Sequence, residues 1–255
     1  MTGGSSRYHA TYAEWKADPV GFWAEAAEGV DWVSKGATAF DATAGTYGRW
    51  FPGWTCNTCY NAVDRHVANG RGGQAAIIYD SPITGSKATL TYSDLLTEVQ
   101  ALAGILTDHG ITKGDRVIIY MPMIAEAAVA MLACARIGAI HSVVFGGFAA
   151  RELATRLDDA KPKAIISASC GLEPNRVVAY KPLLDEAIAI ATSKPTAVFI
   201  TQRPQRPCDL IAGRDHDLGA LMAAARGRQV PCVTVEATDP LYILYTSGTT
   251  GQPKG

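Results

Sequence analysis

The sequence predicts an α/β fold: a mostly parallel sheet flanked by helices, preceded by an aromatic-rich arm of short helices and loops. Three observations carry this reading. From residue 74 onward, short apolar runs alternate with segments whose apolar residues recur every 3.6 positions. Runs such as Val117 to Tyr120 are apolar throughout, as in a strand covered on both faces. All five tryptophans (Trp15, Trp23, Trp32, Trp50 and Trp54) fall in the first 70 residues, so the two regions are built differently. The division is placed at 1–73 and 74–255.

In the arm, Tyr12 to Trp15 begins one short helix and Pro19, suited to a first helical turn, begins another. So many aromatics among loops suggest a segment that lies on another surface rather than folding alone. Asn57 or Thr55 is expected to cap a helix through about Ala68. Beyond it, Ala75–Tyr79 and Ala88–Thr91 read as a hairpin around Pro82 and Gly85. Ser93 then caps a helix with Leu95, Leu96, Val99, Leu102, Ala103 and Leu106 on one face, ended by Gly110. The alternation continues as strand 116–120, helix 124–136, strand 140–145, helix 149–159 and strand 163–168. Helix 181–191, strand 196–201, helix 217–225 and strand 241–245 complete it. Crossovers of this kind produce parallel neighbours.

The chain has 255 residues, 48% hydrophobic and 18% charged, with 23 basic against 24 acidic side chains. The near-zero net charge offers no basic face for nucleic acid and no block for a membrane surface. No apolar run approaches the ~20 residues of a membrane span. Six cysteines without a secretory leader read as reduced thiols, and hence a cytoplasmic protein. Cys56-Asn57-Thr58-Cys59 invites a metal or redox reading, but no second such pair exists, and adding His66 still leaves zinc one ligand short. No metal site is expected.

The chemistry is concentrated in Thr246-Ser247-Gly248-Thr249-Thr250-Gly251-Gln252-Pro253-Lys254-Gly255. It follows the apolar run Leu241 to Tyr245. Glycines let backbone N–H groups approach an anion, the hydroxyls add donors, and Lys254 adds a positive charge. This is not the nucleotide-binding G-x-x-x-x-G-K-[ST] loop, because Gly255 follows Lys254 and Pro253 would interrupt a helix. It resembles the phosphate loop of the adenylate-forming superfamily. The run Ala133 to Phe148 (A-C-A-R-I-G-A-I-H-S-V-V-F-G-G-F) is similar to the short-chain acyl-CoA synthetases. Cys56 to Asn61 and Ala168 to Val178 most resemble the propionyl-CoA synthetases among them.

This resemblance implies a two-step reaction: a carboxylate attacks the α-phosphate of ATP, with Mg2+, and CoA then displaces AMP from the acyl-adenylate. It implies ATP phosphate binding by Thr246, Ser247, Gly248, Thr249, Thr250, Gly251 and Lys254, although Lys254 can equally pair with an acidic neighbour. It implies CoA binding by Phe145, Gly146, Gly147 and Arg176. For the glycines a tight strand-to-helix turn is the competing explanation, and for Arg176 a solvated surface position. The resemblance implies that acetate-activating members carry a further arginine where Glu173 stands, so capture of CoA phosphates at that loop is expected to be weaker.

The acyl pocket and catalytic lysine of the family lie beyond Gly255, so no catalytic residue is expected in these residues and the piece alone is expected to be inactive. Acetate in place of propionate, or a non-catalytic CoA- or nucleotide-binding module, are the rival functions. Partners are expected to be small molecules, with self-association through an exposed edge at 241–245.

Overall fold

The computed structural model describes residues 6–246 and 255. The chain divides into two compact units, Met1–Asn57 with Thr234–Asp239, and Thr58–Val233 with Pro240–Gly255. In the first, helices α1 (Tyr8–Ala17) and α2 (Pro19–Ala26) adjoin at Asp18, whose carboxylate accepts the Gly21 N–H at 2.9 Å and caps α2. The tryptophans expected to lie on another surface partly pack on one another. Trp32 meets Trp54 edge-on with ring centroids 4.9 Å apart, and Phe51 joins them at 5.2 Å from Trp54. The indole N–H of Trp32 donates to Ala27 O at 2.8 Å and that of Trp54 to Thr38 O at 3.1 Å. These bonds satisfy the polar edges that burial would otherwise orphan.

The second unit holds the sheet. An antiparallel hairpin, β1 (Ala75–Ser81) and β2 (Ser86–Thr91), leads into α3 (Tyr92–Asp108). The cap of α3 is Thr91, not the expected Ser93: the Thr91 hydroxyl accepts the Asp94 N–H while Asp94 returns to the Thr91 N–H. That reciprocal pairing satisfies two helix-end donors, which a serine inside the first turn cannot do. There follow β3 (Arg116–Met121), α4 (Ala125–Arg136), β4 (Ile140–Phe145), α5 (Ala150–Ala160) and β5 (Ala164–Ala168). A second hairpin, β6 (Cys170–Glu173) with β7 (Arg176–Ala179), was not foreseen in the sequence. Then come α6 (Tyr180–Ile190), β8 (Ala197–Thr201), the short β9 (Asp215–Asp217) and α7 (Leu218–Ala225).

The five-stranded sheet has the order β9-β8-β5-β3-β4 and every pairing is parallel. Its strands alternate between two cores. Val117, Ile119, Ile166 and Phe199 join α3, α4 and α7 on one face; Ile118, Tyr120, Ile165 and Ile200 join α5 and α6 on the other. Burial on both faces is why these runs are apolar at nearly every position.

Two expected elements differ. Residues from Thr58 onward are helical, but with wide π-type turns at Tyr60–Asp64 and Val67–Arg71, the latter broken where Gly70 has φ +78°. The expected strand 241–245 makes one bridging pair, Tyr242 with His141. Ile243 N–H donates to His141 O at 2.9 Å, and the segment follows β4 in parallel. No helix among the described residues is long and apolar enough to cross a membrane.

Candidate functional site

A cavity of about 240 Å³ opens at the carboxyl edge of the sheet, lined by Met123, Phe145, Gly146, Gly171, Tyr180 and Arg203 among others. Its position follows from topology. The chain moves from β3 outward to β4, then returns across β3 to β5 and continues to β8, so the strand order reverses between β3 and β5. At such a reversal the loops leaving the two strands diverge and leave a crevice, which is where open α/β sheets bind ligands. Pro122 and Met123 follow β3, while Gly171 and Leu172 lie just past β5.

Tyr120 and Tyr180 shape the wall. The Tyr120 hydroxyl donates to Phe148 O at 3.0 Å and accepts the Gly147 N–H at 3.1 Å, clamping the turn after β4. Gly147 has φ +99°, a conformation that side chains other than glycine rarely adopt. Tyr180 fills the space beside the neighbouring glycines: a Cβ on Gly146 would lie 2.4 Å from its ring, and one on Gly171 2.1 Å from its hydroxyl oxygen. Packing against Tyr180 thus requires glycine at Gly146 and Gly171, and backbone conformation favours it at Gly147. Burial pushes the Tyr180 phenol up to about 12 and raises that of Tyr120, so both remain neutral donors near neutral pH. Phe145, at 66% exposure, presents its ring at the mouth of the cavity.

Arg176 lies on the β6–β7 hairpin, paired with Glu173, which lines the cavity. Of the predicted phosphate-loop residues, Thr246 is described; Ser247, Gly248, Thr249, Thr250, Gly251 and Lys254 lie outside the described residues. Because its segment runs parallel to β4, the chain reaches Thr246 travelling toward the edge that carries Phe145 and the cavity. Sequence reasoning missed Tyr120, Tyr180 and Arg203. Each stands at or near the end of an apolar strand or the start of a helix, but their convergence depends on the strand order.

The C-x-x-C reading has a structural outcome. The ligand atoms of Cys59, Asp64 and Cys232 lie within 4.8 Å of one another. Asp64, however, accepts both Arg136 terminal nitrogens, at 2.8 and 3.0 Å, and the same guanidinium donates to Cys59 Sγ at 3.6 Å. A buried fixed cation there opposes a metal cation and fills the donors' lone-pair directions. The group reads as a structural tie, with Arg136 also donating to Val230 O at 2.5 Å. A hydrogen bond from Cys232 lowers the Cys59 pKa and raises that of Cys232 itself.

Comparison with known proteins agrees with this architecture. Residues 64–255 match the model of the AMP-binding enzyme family, and residues 8–62 match that of the acetyl-coenzyme A synthetase N-terminus. The chain belongs to the AMP-binding enzyme family. More particularly, it is 50% identical over 255 residues to the human acyl-CoA synthetase short-chain family member 3, mitochondrial, covering all of this chain and 37% of that protein. It is 45% identical over 238 residues to the propionate–CoA ligase of Salmonella typhimurium, covering 93% of this chain and 38% of the ligase. The Escherichia coli propionate–CoA ligase is 44% identical over the same length. The chain thus spans little more than a third of the relatives it matches.

Proposed function

We propose that these residues form part of an ATP-dependent ligase that activates a short-chain carboxylate, propionate in preference to acetate, to acyl-AMP and then acyl-CoA. The supporting observation is the convergence at one sheet edge. The segment leading into Thr246 follows β4 toward its carboxyl end, and β4 ends at Phe145 beside the cavity. Two anions, carboxylate and nucleotide phosphate, must meet in this reaction, so the protein's main contribution is positive charge and orientation. Residues 246–251 and Lys254 would hold the ATP phosphates, with Mg2+ as their counter-ion. Phe145, Gly146, Gly147 and Arg176 would hold CoA.

Propionate rests on the named activity of the bacterial relatives. The match of residues 8–62 to an acetyl-coenzyme A synthetase segment favours acetate as the second reading. Propionate- or acetate-dependent exchange of pyrophosphate into ATP by the longer enzyme, with Gly248→Ala and Lys254→Ala as variants, tests the reading and ranks the two acids. Exchange that neither variant lowers would overturn the phosphate-loop assignment. The 255 residues alone are proposed to be inactive; AMP formation from them with ATP, propionate and CoA would contradict that.

Residues 1–73 are taken as an arm and 74–255 as the first part of the nucleotide-binding domain. The cytosol suits six unbridged cysteines, whereas the human relative's name assigns that protein to mitochondria; cell fractionation decides between them. Self-association beside β4, where Tyr242 and Leu244 are exposed, is the expected state of the isolated chain, and light scattering measures it.

A further inference from the structure

Arg203 follows the carboxyl end of β8 by two residues and is fixed to the floor of the cavity by two bonds. Its backbone N–H donates to the hydroxyl of the buried Ser169 at 2.9 Å, and its Nη1 donates to Cys170 O at 3.1 Å. Ser169 is held in turn, its N–H donating to Thr201 O at 2.9 Å and its carbonyl accepting the Tyr180 N–H at 3.0 Å. The guanidinium is therefore set on the same short segment that carries Gly171 and seats Tyr180.

Charge singles out this residue. Among the described residues lining the cavity, Arg203 is the one cation and Glu173 the one anion. Glu173 is already matched by Arg176, so that pair adds no net charge. Arg203 pairs with no carboxylate among the described residues, and Cys170 O occupies only one of its terminal nitrogens. It also lines a second cavity of about 570 Å³, so its side chain stands on a wall between two openings. An arginine with unused donors, beside an exposed aromatic ring and two glycine-bounded walls, suits a phosphate ester carried on a flat heterocycle.

We propose that Arg203 is the phosphate-binding cation of this cavity, contacting the phosphates of CoA; the inference rests on the CoA reading of Phe145, Gly146 and Gly147. It supplies the charge that the Glu173–Arg176 pair cancels. The test is a titration of the longer enzyme with CoA, dephospho-CoA and pantetheine, comparing the parent with Arg203→Gln and Phe145→Ala.

Loss of one charge-assisted contact weakens CoA binding by roughly tenfold and leaves pantetheine, which has no phosphate, unchanged. A loss that vanishes with dephospho-CoA assigns the 3′-phosphate; a loss that persists assigns the pyrophosphate. CoA affinity within twofold of the parent in Arg203→Gln, while Phe145→Ala is weakened, overturns the role of Arg203 and leaves the CoA reading standing. Failure of Phe145→Ala to alter CoA binding removes the CoA reading itself. Phenylglyoxal labelling of the parent, mapped by mass spectrometry, needs no variant that might misfold. Protection of Arg203 by CoA but not pantetheine is expected, and equal labelling with and without CoA overturns the proposal.

Discussion

Glu173 and Arg176 close the tip of the β6–β7 hairpin against each other, with Arg176 Nε 2.7 Å and Nη2 3.2 Å from the two Glu173 oxygens. The hydrogen bond lowers the Glu173 pKa and raises that of Arg176. Both are exposed, so the pair adds little to stability. Its consequence is for charge: Glu173→Gln releases the guanidinium. If Arg176 faces CoA, titration at low salt will show affinity rising about two- to fivefold. Unchanged affinity would assign Arg176 to the solvated surface.

Tyr180 occupies the space that side chains at Gly146 and Gly171 would need. Gly171→Ala forces the ring or the hairpin to move, a strain of about 1–3 kcal/mol. The same substitution in a Tyr180→Ala background should cost far less, because the colliding ring is gone. Urea unfolding of the four-member cycle measures the coupling. Additive costs would mean that the glycine answers to something other than Tyr180.

Lys181, buried at the start of α6, lies 2.6 Å from Asp185 and 2.9 Å from Asp215, whose side chain is fully buried. Arg214 bonds both acids. Burial pushes the Asp215 carboxyl up, but bonds from Arg214, the Ile211 N–H and Lys181 outweigh it and hold it below its usual value. Lys181→Met removes one cation from a buried set and should cost about 3–5 kcal/mol in a denaturant melt. A loss below about 1 kcal/mol would show the network to be redundant.

His141 is buried on β4 with its Nδ1 unpartnered, and burial lowers its pKa to about 4. The folded state thus refuses a proton that the unfolded chain accepts near 6.5. The sign follows: stability is complete above pH ~6.5 and is lost as pH falls toward 4, by up to about 3 kcal/mol. His141→Gln should flatten that part of the stability profile. An unaltered slope between pH 6.5 and 4 would place the titrating group elsewhere.

Strands β3, β4, β5 and β8 and helices α3 to α7 are readable in the sequence because their periodicities are clean and Gly110 and Gly138 end helices. The β6–β7 hairpin is not, since Pro174-Asn175 sits between two four-residue strands too short to show alternation. The shift of the α3 cap from Ser93 to Thr91 reflects competition between two hydroxyls, decided by Asp94 three residues after Thr91. Phe145, Gly146 and Gly147 could be marked by motif alone. Tyr120, Tyr180 and Arg203 come from three distant stretches, and only the reversal of strand order brings them together.

The Tyr120 clamp has a consequence for rate. One residue of β3 fixes the turn at Gly147 and Phe148 through its hydroxyl, while its carbonyl accepts the Ser167 hydroxyl on β5 at 2.8 Å. The turn at Gly147 and Phe148 is therefore cast with the sheet itself. Its ordering entropy is spent at folding. Association there should be governed by diffusion and charge, with on-rates that fall as salt rises rather than a slow closing step.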